Sequence, residues 1–449
     1  MSIEKARRRS PMLEVLGIRN FRLLWIGQGT SLVGDYFNFI ALPWLVLQLT
    51  GSALALGTVL ALEGVPRALF TLLGGAITDR VSPRTIMLIS DIVRFFLCGL
   101  LVALVLTGTV NLWALYAIGL AFGLVGGFFQ PAAGAVMPTL VGPVELQAAN
   151  ALYQGSSQML GFVGPMLAGA VIAVFGTASV VMSAPGSLGV AVAFGVDALS
   201  FLVSVFTLWL MSVPAPVRLQ TQQRAENVLE SIRDGIAFVW KDPILRMLFI
   251  VIAALNMLFV GPIDVGIPVL ARLRLPEGVA AYGIIIAAYA GGNLIGTILS
   301  GMIPPRKRFK AFTIALLFAF GLALAPFGWV PSAWVGFTIF FVLGIGNGYF
   351  SIILITLLQR RTPPALMGRM MSLLVLSNVG LVPISQAASG LVINASLDAL
   401  FVGAGGLILI VAVWATLSPT LELLVAEVET TAAASGGQTG TTLSASPGE

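Results

Sequence analysis

The chain has no histidine, a single cysteine (Cys98), and only 10% charged residues. Without histidine, the commonest metal ligand and the commonest general base are missing. One cysteine leaves no intramolecular disulfide and no thiolate cluster. There is no Gly-x-x-x-x-Gly-Lys-Ser/Thr string and no nucleophile–base constellation, so neither nucleotide hydrolysis by that route nor intramembrane enzymology is expected. No metal and no cofactor is expected. The scarcity of charge excludes an ordinary soluble domain, in which charged residues approach ~25%.

What the chain has instead is apolar length. Of its 449 residues 58% are hydrophobic and 50 are glycine, with a mean hydropathy of +0.99. Apolar stretches fall at about 21–49, 52–78, 84–107, 111–138, 148–176 and 190–212, and again at about 243–270, 280–302, 311–330, 333–358, 370–395 and 398–417. Each approaches or exceeds the ~20 residues that span the hydrocarbon of a bilayer. The expected fold is an all-α polytopic membrane protein with twelve transmembrane helices in two six-helix halves. The expected order is an N-terminal segment 1–20, a first half 21–212, a linker 213–242, a second half 243–417 and a tail 418–449. The last twenty residues are rich in Ala, Gly, Ser and Thr and read as disordered. In the linker, Val228, Ile232, Ile236 and Phe238 or Val239 recur at near-helical spacing, which predicts an amphipathic surface helix.

The basic residues fix an orientation. Lys5, Arg7, Arg8 and Arg9 precede the first segment, and Arg80 and Arg84 lie in the 2–3 turn. Arg218, Arg224, Arg233 and Lys241 lie in the linker, with Arg306, Lys307, Arg308, Lys310, Arg360 and Arg361 in later turns on the same side. Only Arg272 and Arg274 fall on the other side. By the positive-inside rule both termini and the linker are cytoplasmic. The net charge of +5 is thereby absorbed by topology, and nucleic acid is not an expected partner.

A weak internal repeat accompanies the segment count. Gly57, Gly75 and Arg80 recur at constant offset as Gly283, Gly301 and Arg306, and Asn150 and Pro165 recur as Gly368 and Pro383. Parallel repeats of this kind place a substrate site between the halves, with access alternating as they rock.

Within the first segment Gln28, Ser31, Asp35 and Asn38 fall at i, i+3, i+7 and i+10, on one stripe of a helix. A carboxylate at bilayer depth costs at least ~2.5–3.5 kcal/mol on insertion scales, so Asp35 is expected to face protein or water. Other acids have partners nearby in sequence. Glu63 and Arg67 are four apart and Asp91 and Arg94 three apart, spacings that suit intrahelical pairs. Arg67 also lies at a depth similar to Asp35, which leaves a cross-helix pair open. Asp197 reads as structural, and Asp264, after Pro262, as lining an outer cavity mouth or not in equal measure.

Segment 2 ends in Gly75-Ala-Ile-Thr-Asp79-Arg80-Val-Ser-Pro-Arg84, which resembles the loop 2–3 motif of the major facilitator superfamily. Segment 5 contains Gly161-Phe-Val-Gly164-Pro165-Met-Leu-Ala-Gly169, which resembles the Gly-Pro motif of proton-coupled antiporters in that superfamily. Pro165 removes a helix hydrogen bond and the glycines admit close neighbours, so a kinked, tightly packed helix is expected. The strings FRLLWIGQ…GD at 21–35, FFQPAAGAVMPTLV at 128–141, AANALYQ at 148–154, GVDALSFLVS at 195–204 and MGRMMS at 367–372 are similar to the branch of macrolide-efflux and enterobactin-type siderophore exporters. The resemblance covers about residues 15–420. Ser82 and Pro83 replace the Gly-Arg that the loop motif carries elsewhere.

This resemblance implies a secondary transporter of the bacterial cytoplasmic membrane, working as a monomer on a small molecule with the proton gradient as energy source. It implies a cavity lined by segments 1, 4, 7 and 10, with Asp35 as the proton site and Glu63 and Asp264 as second choices. Gln28, Ser31, Tyr36, Asn38, Gln130, Asn256 and Asn347 are then the cavity candidates. Gly75, Asp79, Arg80, Arg84, Asp91 and Arg94 would form a cytoplasmic gate. The expected activity is proton-coupled efflux of a bulky amphiphile such as a macrolide or a siderophore. Import, lipid or metabolite transport on the same fold, and a non-transporting membrane sensor are the alternatives.

Overall fold

The computed structural model describes residues 11–78, 81–177, 187–212, 228–303, 309–363 and 366–424. Among these the chain is helical and contains no strand. Eleven helices are long and apolar enough to cross a membrane, and a shorter apolar helix stands at the ninth expected segment. The chain forms two compact units, Met1–Thr221 with Ile267–Ala287, and Gln222–Gly266 with Ala288–Glu449.

In the first unit a short helix α1 (Pro11–Leu16) leads into α2 (Arg19–Thr50), α3 (Ala53–Thr78), α4 (Pro83–Leu106), α5 (Leu112–Leu140), α6 (Leu146–Thr177) and α7 (Ser187–Leu210). Gly51 ends α2 in the left-handed region at φ 66°, with its N–H on the Leu47 carbonyl. Asn111 caps α5 by accepting from the Ala114 N–H, which satisfies one of the free donors at a helix start. α3 packs along α5, and α2 and α4 pack along α7. Phe21, Leu24, Met87, Phe129 and Leu208 form a buried cluster among α2, α4, α5 and α7.

The first unit also takes in α10 (Ile267–Leu273) and the first turns of α11 (Val279–Met302). Arg272 of α10 donates to the Leu47 carbonyl near the end of α2. A cation there meets the negative end of the helix dipole. One of the two arginines that defy the charge asymmetry of the sequence thus serves as a helix cap.

The second unit begins with α8 (Val228–Lys241), the amphipathic helix expected in the linker; residues 213–227 lie outside the described residues. Val239 of α8 is buried with Met247, Leu357, Leu358, Met370 and Leu421. Asp242 caps α9 (Pro243–Leu255) through the Ile244 and Leu245 N–H groups and accepts from Arg361 with its other oxygen. The unit continues with α11 from Ala288 onward, α12 (Phe309–Leu324), α13 (Ala333–Arg361), α14 (Met367–Ala395) and α15 (Leu397–Leu417).

Two departures from expectation have local causes. The seventh segment is not one helix: Asn256–Val260 and Pro262–Gly266 are π-helical turns between α9 and α10. Pro262 has no N–H to give and its ring displaces the carbonyl four residues back, so the ladder widens there. The ninth segment, expected over 311–330, ends as a helix at Leu324 after 16 residues. Pro326 disfavours helix at Ala325, and the chain continues as a 3₁₀ turn, Phe327–Trp329.

Candidate functional site

Helices α2, α3, α4 and α5 enclose a cavity of about 260 Å³ in the first unit. Its polar wall is Asp35 and Asn38 from α2, Glu63 and Arg67 from α3, Arg94 from α4 and Gln130 from α5, with Tyr36, Phe39, Phe122 and Phe129 between them. The glycines of α5 set its width. A Cβ on Gly123 would stand 2.0 Å from the Glu63 carbonyl oxygen, so α3 and α5 touch backbone to backbone at the level of Glu63. A Cβ on Gly126 would meet Arg67 Nε at 3.2 Å and Arg94 Nη2 at 3.3 Å. Gly126 is therefore the space in which both guanidiniums reach the cavity.

Charge is distributed unevenly over this wall. Glu63 and Arg67 form an ion pair within α3. Arg94 lies 3.8 Å from the Asp91 carboxylate one turn earlier on α4, and its guanidinium stacks on Phe129 at 4.4 Å and Phe201 at 5.6 Å. Asp35 is exposed to the cavity, and among the described residues it has neither a hydrogen bond nor an ion pair. The cross-helix pair with Arg67 that the sequence left open is not made, because Glu63 holds that guanidinium.

The remaining members of the polar stripe are turned elsewhere. Gln28 and Ser31 are buried and do not belong to this cavity wall. Gln28 donates to Ser204 Oγ at 3.5 Å, and Ser204 donates to Asp91 Oδ2 at 2.6 Å, so Gln28 packs α2 on α7. Asn38 both lines the cavity and reaches behind it. Its Nδ2 donates to Asp197 Oδ2 at 2.8 Å, and the Cys98 thiol donates to the same oxygen at 3.0 Å.

The gate candidates divide. Gly75 falls within α3, while Asp79 and Arg80 lie outside the described residues. Arg84 caps α7, with Nε 2.7 Å from the Leu208 carbonyl and Nη2 2.9 Å from that of Trp209. Asp91 is fully buried and Arg94 lines the cavity, so this pair belongs with the site above. In α6 the helix runs from Leu146 to Thr177 through Pro165. Gly161 is buried, and a Cβ on Gly164 would stand 2.6 Å from the Tyr36 ring. Gly169 meets Gly283 of α11, where the Cβ–Cα distance would be 3.2 Å.

Three candidates lie in the second unit. Asn256 opens the first π-helical turn and donates to the Ser377 carbonyl and to Asn378 Oδ1, both at 3.3 Å. Asp264 stands in the second π-helical turn and accepts from Gln386 Nε2 at 2.8 Å. Asn347 is half-buried in α13.

The cavity includes two helices that the resemblance did not assign to it, α3 and α4, and with them Arg67 and Arg94. The signal for both was present in the glycines at 123, 126 and 127, whose spacing fits a face meant for close neighbours. No group of three or more acidic or cysteine side chains suited to hold a metal occurs among the described residues. Chemically the site offers one free carboxyl in a cavity with apolar and aromatic walls, flanked by two neutralised pairs. Such a group binds a proton or a cation.

A model of the family described as Major Facilitator Superfamily matches residues 24–385. The multidrug efflux pump Tap of Mycolicibacterium fortuitum is 25% identical, over 82% of this chain and 85% of its own. Macrolide efflux protein A of Streptococcus pyogenes is 24% identical over 79% of this chain and 84% of its own. The enterobactin exporter EntS of Citrobacter koseri is 25% identical over 80% and 82%. Among solved structures, a bacterial homologue of the iron transporter ferroportin in an inward-facing state superposes with a TM-score of 0.67 at 18% identity, covering 89% of this chain and 99% of that one. The nucleoside transporter NupG superposes with a TM-score of 0.62 at 15% identity, covering 90% and 98%.

Proposed function

Since the chain belongs to the Major Facilitator Superfamily and is a multi-pass membrane transporter, not an enzyme, we propose that it exports a bulky amphiphile in exchange for protons. The observation that carries this reading is Asp35: a carboxyl on the cavity wall without a partner among the described residues, beside two acids that each have an arginine. An ionised carboxylate in such a place attracts a proton from the more acidic side. Once neutral, it no longer opposes the passage of the wall through an apolar environment, which is how proton binding drives a change of access. Tyr36, Phe39, Phe122 and Phe129 give an apolar substrate broad surfaces to lie on.

Export as the direction is supported by the efflux proteins among the relatives. The cytoplasmic placement of both termini rests on the charge asymmetry. It is supported in the second unit by Asp242 with Arg361 and Lys310 with Glu422, which join elements assigned to one side of the membrane. The transporter reads as a monomer in a bacterial cytoplasmic membrane, with no cofactor beyond the proton gradient.

Purified protein in liposomes with an imposed pH gradient tests the reading, using a panel of macrolides and siderophores as substrates. Transport that follows the gradient and is lost in Asp35→Asn supports it. Transport that ignores the gradient, or survives Asp35→Asn unchanged, removes proton coupling at this residue. Accumulation of substrate in cells, in place of depletion, would reverse the direction.

A further inference from the structure

Asp197 lies behind the cavity wall on α7 with no exposed surface. Its Oδ2 accepts from Asn38 and from Cys98, and its Oδ1 has no hydrogen-bond partner. It presses against Gly34 of α2, where a Cβ would stand 2.6 Å from Oδ1. The helices packed on α7 bring few charges toward it. α2 brings Asp35; α4 brings Asp91, Arg94 and the Cys98 thiol; α6 carries no charged residue between Leu146 and Thr177, and Asp197 is the only one in α7. Arg94 is engaged with Asp91 and two rings. No ion pair reaches Asp197 among the described residues.

Asp91 makes the contrast. It is as deeply buried, yet a guanidinium stands 3.8 Å from it, one turn along the same helix. A buried carboxylate without a cation is costly, and the cost is avoided when the group carries a proton. The partners of Asp197 suit both states. A carboxamide gives N–H to a carboxylate or, turned over, offers its oxygen to a carboxylic acid, and a thiol is a weak donor and a weak acceptor. Neither partner locks the group in one form, as an arginine would.

We propose that Asp197 is a second proton-binding carboxyl, filled from the cavity past Asn38. Among the described residues Asn38 alone both lines the cavity and hydrogen-bonds to Asp197. When its amide swings toward the cavity, a water molecule takes its place beside Oδ2. A proton delivered by hydronium, or by the protonated Asp35 through that water, forms an O–H bond on Asp197 and leaves the donor one proton poorer. No other atom changes hands. The role of this proton in transport rests on the exchange proposed above; its presence on Asp197 does not.

The experiment uses the thiol beside it. Cys98 is the only cysteine, so the infrared S–H stretch of the whole protein is a single band from the neighbour of Asp197. In nanodiscs titrated over roughly pH 5–9 that band is expected to shift in one step, to keep its step in Asp35→Asn and to lose it in Asp197→Asn. A band that does not move with pH in the wild-type protein overturns the proposal, as does a step that survives Asp197→Asn. Should Asp197→Asn fail to fold, the Asp35→Asn titration decides, since a step abolished there places the proton on Asp35 alone. In liposomes the ratio of gradient-driven transport to substrate counterflow is expected to fall about tenfold or more in Asp197→Asn. A titrating band together with a wild-type protein indifferent to the pH gradient would leave the proton on Asp197 and remove the coupling reading.

Discussion

Arg67 gives its guanidinium to Glu63, one turn earlier on α3, and among the described residues Asp35 on the same cavity wall makes no ion pair. Glu63→Gln removes the carboxylate that holds Arg67 and releases the guanidinium to Asp35. Gradient-driven transport is expected to fall about tenfold or more, ~1.4 kcal/mol in the barrier. Removing Arg67 as well, in Glu63→Gln with Arg67→Gln, is expected to return most of the rate. Initial rates in liposomes for the four proteins of this cycle check it, and simple additivity of the two single effects would count against the arrangement.

The contact of α3 with α5 has no room for a methyl group at Gly123, where the obstacle is the Glu63 backbone carbonyl. Gly123→Ala is expected to destabilise by ~1–3 kcal/mol, the usual range for an overpacked core. Gly134, on the same helix with nothing within 4 Å, is the control, and Gly134→Ala should leave the melting temperature in place. Thermal unfolding of the detergent-solubilised proteins measures both. Equal melting temperatures would mean that the two helices do not meet as described.

Arg84 is bound to the last carbonyls of α7 by a two-pronged contact. Arg84→Lys keeps a cation at the negative end of that helix but loses the fork, whereas Arg84→Gln loses both. The expected order of stability is wild type, then Lys, then Gln, spread over ~1 kcal/mol. A residue acting only as a gate would slow transport in both variants without this order in thermal unfolding.

Lys310 donates to Glu422 at 2.8 Å and holds that carboxyl below its ordinary value of 4.5. The folded form therefore gains from this contact above the ordinary value and loses it as pH falls through the lowered one. Amide exchange at Leu421 and Leu424, which pack into the core beside it, is expected to quicken relative to the intrinsic rate at each pH only in acid or at high salt. Lys310→Gln should show the faster exchange already at neutral pH. An acid step of unchanged size in Lys310→Gln would assign it to another group.

How much of this was legible in the sequence depends on the kind of neighbour each residue has. Helix limits were legible because an apolar run must span the hydrocarbon, and the observed ends differ from the expected ones by a few residues in most segments. The Glu63–Arg67 and Asp91–Arg94 pairs were legible because their partners lie on the same helix, one turn away. The stripe of Gln28, Ser31, Asp35 and Asn38 was legible as an angle but not as a destination. Asp35 faces a cavity, while Gln28 faces a serine on a helix more than 170 positions later, and nothing local distinguishes the two. For the same reason the partners of Asp197 were hidden: Asn38 and Cys98 come from two other helices, 159 and 99 positions earlier. The early end of α12 is written in Pro326, which disfavours helix at the residue before it.

The two π-helical turns between Asn256 and Gly266 bear on how the seventh segment is to be compared with the first. Each such turn takes in about one extra residue, and each residue of a helix advances ~100°. A helical wheel drawn through the whole segment is thus out of phase by a large part of a circle once it has crossed both turns. Residues before Asn256 and after Gly266 keep separate clocks. Asn256 opens the first turn and Asp264 stands within the second, and an alignment of the two repeats has to reset its count at each turn. Deleting one residue from each of the two turns should restore regular winding, where a single deletion in α9 would break it.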